Sequence, residues 1–159
     1  MPEPQNTFTE RFSLAKQASS LGAQGDLVIE LMYGLAGRGY WLPEQVSKEM
    51  ELSTERIRQI LRRSLLIIHC QGIRQISLGE ADSANARLLL YLQTAIRPEE
   101  GGALERIWGL VDRELAPLPL HSHALPLVVY LLYGRGTRIR QTLAQLRELE
   151  RRRASTVQV

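Results

Sequence analysis

The chain has 159 residues, 44% hydrophobic and 23% charged, which suits one domain or two very small ones around a buried core. A single cysteine excludes a disulfide framework, and no apolar run nears the ~20 residues of a membrane span. The start, Met1-Pro-Glu-Pro-Gln-Asn, lacks the basic and apolar regions of a secretory signal, so a cytoplasmic protein with no membrane partner is expected.

Net charge is +3, and 18 of the 20 basic residues are arginine. Arginine carries a planar fork of donors suited to phosphates and guanine edges, although an arginine-rich codon bias produces the same composition.

In chain order the pattern is helical throughout, and an all-α, multi-helix fold is expected. Residues 9–20 form a short helix capped by Thr7 or Thr9. A second helix spans 24–35, with Leu27, Leu31 and Leu35 at i, i+4, i+8, and is broken by Gly34, Gly37 and Gly39. Pro43 suits the first turn of a helix ending near Met50. Glu51-Leu52-Ser53 is a three-residue turn, and Ser53 is the N-cap of a helix to about His69 with Ile57, Ile60, Leu61, Leu65 and Ile68 on one face. Residues 72–79, bounded by glycines, read as a short strand or an extended linker, and linker is the reading adopted. A helix over 81–96 is capped by Asp82 or Ser83, and another covers 103–115, before Pro117 and Pro119. The nearly all-apolar run 125–133 is a buried helix or a contact with a second copy. A last helix spans 137–152.

Two regions follow: a helix-turn-helix domain over 1–75 and a C-terminal helical domain over 80–153 for dimerisation or partner docking, with 154–159 a disordered tail. A faint internal echo links Val28–Gly34 to Val128–Gly134 and Thr54–Leu61 to Gly136–Leu143, through decayed duplication or chance.

The chemistry-bearing stretch is 42–63. A short helix, a tight turn and a second helix carrying Thr54, Glu55, Arg56, Arg58, Gln59, Arg62 and Arg63 is helix-turn-helix anatomy. Ile57, Ile60 and Leu61 supply the stripe for partner helices. Arg58 and Arg62, four apart, can straddle a groove and neutralise phosphates. Glu55 can accept from cytosine and Gln59 can pair with adenine.

Asp26–Leu35, then Leu42-Pro-Glu-Gln-Val46, then Leu52-Ser-Thr-Glu-Arg-Ile-Arg-Gln-Ile60 resembles region four of the primary bacterial sigma-factor family, over about 26–66. That resemblance implies a helical module that reads the upstream promoter hexamer and grips the flap of the RNA polymerase beta subunit. It carries over to Glu55, Arg56, Arg58 and Gln59. The family usually has Arg where Thr54 stands and Gly where Glu51 stands, and nothing resembles the promoter-melting region two. The expectation is therefore a transcriptional regulator that binds double-stranded DNA. The alternative is a factor that binds RNA polymerase or a sigma factor without reading DNA.

Arg135, Arg138, Arg140, Arg147, Arg151, Arg152 and Arg153 form the densest positive segment, either a second phosphate-contacting surface led by Arg138, Arg140 and Arg147 or a solvated terminal helix. His69, Cys70, His121 and His123 lack metal-ligand spacing, so no metal is expected, and Cys70 reads as a small buried hydrophobe. Trp41 and Trp108 read as core anchors. With no nucleophile triad, phosphate loop or paired carboxylates, neither an enzyme nor a cofactor is expected.

Overall fold

The computed structural model describes residues 7–34, 40–115 and 121–157. Among them are eight helices and no strand: α1 (Phe8–Ala18), α2 (Gly22–Tyr33), α3 (Pro43–Met50), α4 (Thr54–Ser77), α5 (Ala84–Ile96), α6 (Ala103–Glu114), α7 (His121–Tyr133) and α8 (Thr137–Val157). The all-α expectation holds. The expected breaks at Gly37, Gly39, Pro117 and Pro119, the side chains of His121 and His123, and residues 158–159 lie outside the described residues.

The Thr7 hydroxyl starts α1 by accepting from the Glu10 amide at 3.2 Å, and Phe8, Phe12 and Ala15 turn one buried face inward. Lys16, 7% exposed, crosses to α2 and meets Glu30 at 2.6 Å and Asp26 at 3.6 Å. A buried cation is tolerated only with such partners. Glu114 of α6 accepts from the Phe8 amide at 2.6 Å, an otherwise unpaired donor at the helix start, and also from the Tyr91 hydroxyl.

The largest departure from the sequence reading lies at 72–79. The expected linker is helix, because α4 runs through Gly72 to Ser77. Gly72 lets α5 close in: a Cβ there would stand 2.9 Å from the Asn85 carbonyl oxygen and 3.3 Å from Leu89. Beside it, Asn85 donates to the Ile68 carbonyl at 3.2 Å and to the Ser19 hydroxyl at 2.8 Å, joining α4, α5 and the end of α1. Gln75 then caps α5 by accepting from the Ala86 amide at 2.8 Å. Ser83 holds the N-cap position without a side-chain bond of its own. The cap therefore comes from the very segment expected to be a linker.

The run 125–133 is not a surface. Leu125, Leu127, Val128, Val129, Leu131 and Leu132 are all buried in the same cluster as Phe8, Phe12, Ile57, Leu92 and Trp108. Of the two readings of this run it is the buried helix, its apolar face covered by this chain's own helices. That cluster is shared by side chains from both sides of the expected boundary at 75–80. Cys70 is exposed rather than buried. It sits two residues off the inward positions Ile68 and Gly72, on the outer face of α4.

Arg106 ties the turn after α5, donating to the carbonyls of Ile96 (2.5 Å), Gly101 (2.8 Å), Arg97 (3.1 Å) and Glu100 (3.2 Å). The Ile96 carbonyl is one that the end of α5 leaves unpaired within the helix, and the others belong to the turn that follows. At the other end of the chain, 154–157 continue α8 instead of forming a tail. Arg151 and Arg152 pair with Glu148 (2.5 and 3.2 Å), and the Arg153 guanidinium lies 4.4 Å from the centre of the Trp108 ring. Trp108 is buried and Trp41 packs half-buried on the core, as anchors. Among the described residues no helix is long and apolar enough to cross a membrane.

Candidate nucleic-acid interface

The backbone of residues 43–77 builds the site. In α3, Pro43 occupies the first turn and the Gln45 side chain accepts from the Leu42 amide at 2.8 Å, while Val46 is buried. The turn is pinned twice: the Leu52 amide donates to the Ser47 carbonyl at 3.1 Å, and the Ser47 hydroxyl donates to the Leu52 carbonyl. Glu51 takes the left-handed conformation, φ 56° and ψ 41°. That conformation favours glycine, the residue usual there in the family resembled. Ser53 caps α4 as expected, accepting from the Arg56 amide at 3.1 Å.

Ile57, Ile60, Ser64, Leu65 and Ile68 form the buried stripe of α4. Glu55, Arg56, Arg58, Gln59, Arg62 and Arg63 are exposed, and Thr54 is half-buried. At about 100° per residue, Glu55, Gln59 and Arg62 point away from the core. The arginines split to either side, Arg58 with Arg62 on one flank and Arg56 with Arg63 about 130° around the helix. Arg56 is lightly tied to Gln59 at 3.4 Å. Arg58, Arg62 and Arg63 have no hydrogen-bond or ion-pair partner among the described residues.

The second basic surface does not form as one face. Arg138, though exposed, is engaged by neighbouring groups of this chain, donating to Glu99 at 2.8 Å and the Pro98 carbonyl at 2.9 Å and lying 4.7 Å over the Tyr133 ring. The Glu99 hydrogen bond is the main cause of its raised pKa. Arg140 lies about 200° around α8 from Arg138. Arg147 instead faces α4. It lines a cleft of about 300 Å³ together with Arg58 and Arg62, floored by Tyr33, Leu61, Leu65, Pro126, Tyr130 and Leu143. Arg140 and Arg147 also lack partners among the described residues.

The meeting of Arg147 with Arg58 and Arg62 has no sequence signal, because it depends on how α7 and α8 pack back against α4. His69 plays a structural part, its Nδ1 lying 2.7 Å from the Leu131 carbonyl. Among the described residues no three His, Cys, Asp or Glu side chains gather as metal ligands. Compared with models of known families, with curated proteins and with solved structures, the chain has no significant match.

Proposed function

We propose that the chain is a DNA-binding transcriptional regulator whose α4 enters the major groove. The observation that carries this reading is the pinned α3–turn–α4 unit with six exposed polar and basic side chains in the first three turns of α4. Glu55 and Gln59 read base edges, and Arg62 and Arg63 hold the phosphates beside them. Arg58 and Arg147, on facing walls of the cleft, grip the backbone strand along that flank, and Arg140 extends the same side of α8. Such a protein works in the bacterial cytoplasm.

The test is an electrophoretic mobility shift on mixed-sequence duplex DNA across a salt series. Binding is expected to weaken steeply with salt, and Arg58→Ala/Gln59→Ala to lower affinity at every salt and flatten the salt slope by about one. No shift at low salt overturns DNA binding, and a shift unchanged in the double variant overturns α4 as the reading helix.

Thr54 favours a second reading. Short and half-buried, it stands where the family resembled usually carries a base-contacting Arg. In that reading the same module binds the RNA polymerase flap or a sigma factor without reading DNA. Co-purification with RNA polymerase subunits, alongside a negative mobility shift, selects it.

A further inference from the structure

The cleft between α4 and α8 has a composition that phosphate gripping alone does not explain. Its walls carry Arg58, Arg62 and Arg147 and no acidic side chain. None of the three guanidiniums has a partner among the described residues. Its floor is apolar and aromatic, from Leu61, Leu65, Pro126 and Leu143 with Tyr130. A groove that only tracked a sugar-phosphate strand would need no such floor.

A further observation concerns the floor itself. Tyr33 lines the cleft and is only 7% exposed, yet its hydroxyl makes no hydrogen bond among the described residues. Burial raises its pKa well above the ordinary tyrosine value, so it stays a neutral donor. A lining tyrosine whose hydroxyl is uncommitted within the chain can donate to a ligand acceptor.

We infer that this cleft binds a small amphipathic anion, a carboxylate or phosphate head on an apolar body, and that the ligand competes with DNA for Arg58 and Arg62. The head sits between Arg58 and Arg62 on α4 and Arg147 on α8, where guanidinium forks match two oxygens at once. The body covers Leu61, Leu65, Leu143 and Tyr130. A volume near 300 Å³ is at the small end of ligand clefts. Bound this way, the anion neutralises three arginines that the proposed DNA contact uses, Arg147 as well as Arg58 and Arg62. Ligand binding itself does not depend on the DNA reading; only the competition rests on it.

Titration calorimetry on the full chain, with decanoate and octyl phosphate as probes and 1-decanol and inorganic phosphate as controls, tests the site. Saturable binding of one equivalent of either amphiphile is expected, with both controls weaker by about tenfold or more. Arg147→Gln, a change at an exposed residue, is expected to weaken binding about tenfold while circular dichroism stays unchanged. Equal binding of decanol overturns the guanidinium contacts. Equal binding of inorganic phosphate overturns the apolar seat. Binding unchanged in Arg147→Gln, or absent for both amphiphiles at millimolar concentration, overturns the site.

A mobility shift with added decanoate separates the two proposals. Release of DNA by decanoate supports the competition. Decanoate binding without any DNA shift refutes the DNA reading and leaves the cleft standing, and a DNA shift in a protein that ignores both amphiphiles refutes the cleft alone.

Discussion

Glu51 holds the turn between α3 and α4 in a conformation that disfavours any side chain. Its Cβ meets the following carbonyl, at a cost near 1–2 kcal/mol that glycine escapes while losing more chain entropy on folding. Glu51→Gly is therefore expected to raise stability by about 0.5–1 kcal/mol, read as a higher midpoint of thermal unfolding with an unchanged circular dichroism spectrum. A lower midpoint would mean that the Glu51 side chain makes a contact that outweighs the strain.

Tyr91 gives the fold a pH dependence of defined sign. Burial and, after it, the hydrogen bond to Glu114 push its pKa from 10.0 to about 12. A raised tyrosine pKa means the folded state favours the neutral donor. The stabilisation is whole below pH 10 and is lost as pH climbs through about 12. Tyr91→Phe is expected to flatten the fall in stability across that window, measured by urea unfolding at several alkaline pH values. It should also be less stable than the parent near neutrality, because Glu114 then loses a donor.

At the scale of elements, α7 decides between a packing helix and a docking surface. Leu131 is 1% exposed and its carbonyl oxygen lies 2.7 Å from Nδ1 of His69 on α4. Leu131→Ala is expected to cost about 2–5 kcal/mol in denaturant unfolding, the range for a truncated core leucine. The mass by light scattering should be the same for parent and variant. A parent dimer that Leu131→Ala converts to monomer would support the contact between copies.

The same elements show what could be read from the chain alone. The inward stripe of α4, the Ser53 cap and the turn before it follow from residue spacing and local chemistry, and they stand as expected. Residues 72–79 misled because two glycines and weak alternation resemble a linker. The reason for Gly72 is a neighbour thirteen residues later in the chain, the Asn85 backbone, and periodicity carries no record of that. Arg138 misled for a similar reason: its partner Glu99 lies on a distant turn. Of the site, the exposed set on α4 was legible from the helix period. Arg147 as the far wall of the cleft was not.

For the whole molecule, the shared core makes division costly. A fragment ending at residue 75 would cut α4 and remove α5 and α7, the helices that cover Ile68, Leu65, Phe8 and Phe12. The fragment 1–75 is expected to lack a cooperative thermal transition and cooperative urea unfolding. A sharp transition in that fragment would show that the first four helices fold independently, in support of the two-domain division expected from the sequence.

The unbroken α4 has a mechanical consequence. Twenty-four residues at 1.5 Å of rise make a rod about 36 Å long, with Gly72 wedged against α5 near one end and Glu55 near the other. Treated as a rigid body, it is a lever with the tight Gly72 contact near one end and the exposed set near the other. A tilt of about 5° there sweeps the far tip by roughly 2 Å, comparable with the distance that separates a made hydrogen bond from a broken one. If α4 tilts as a unit, a disturbance among the side chains around Asn85 is expected to reach, enlarged, the Glu55 end of the same helix.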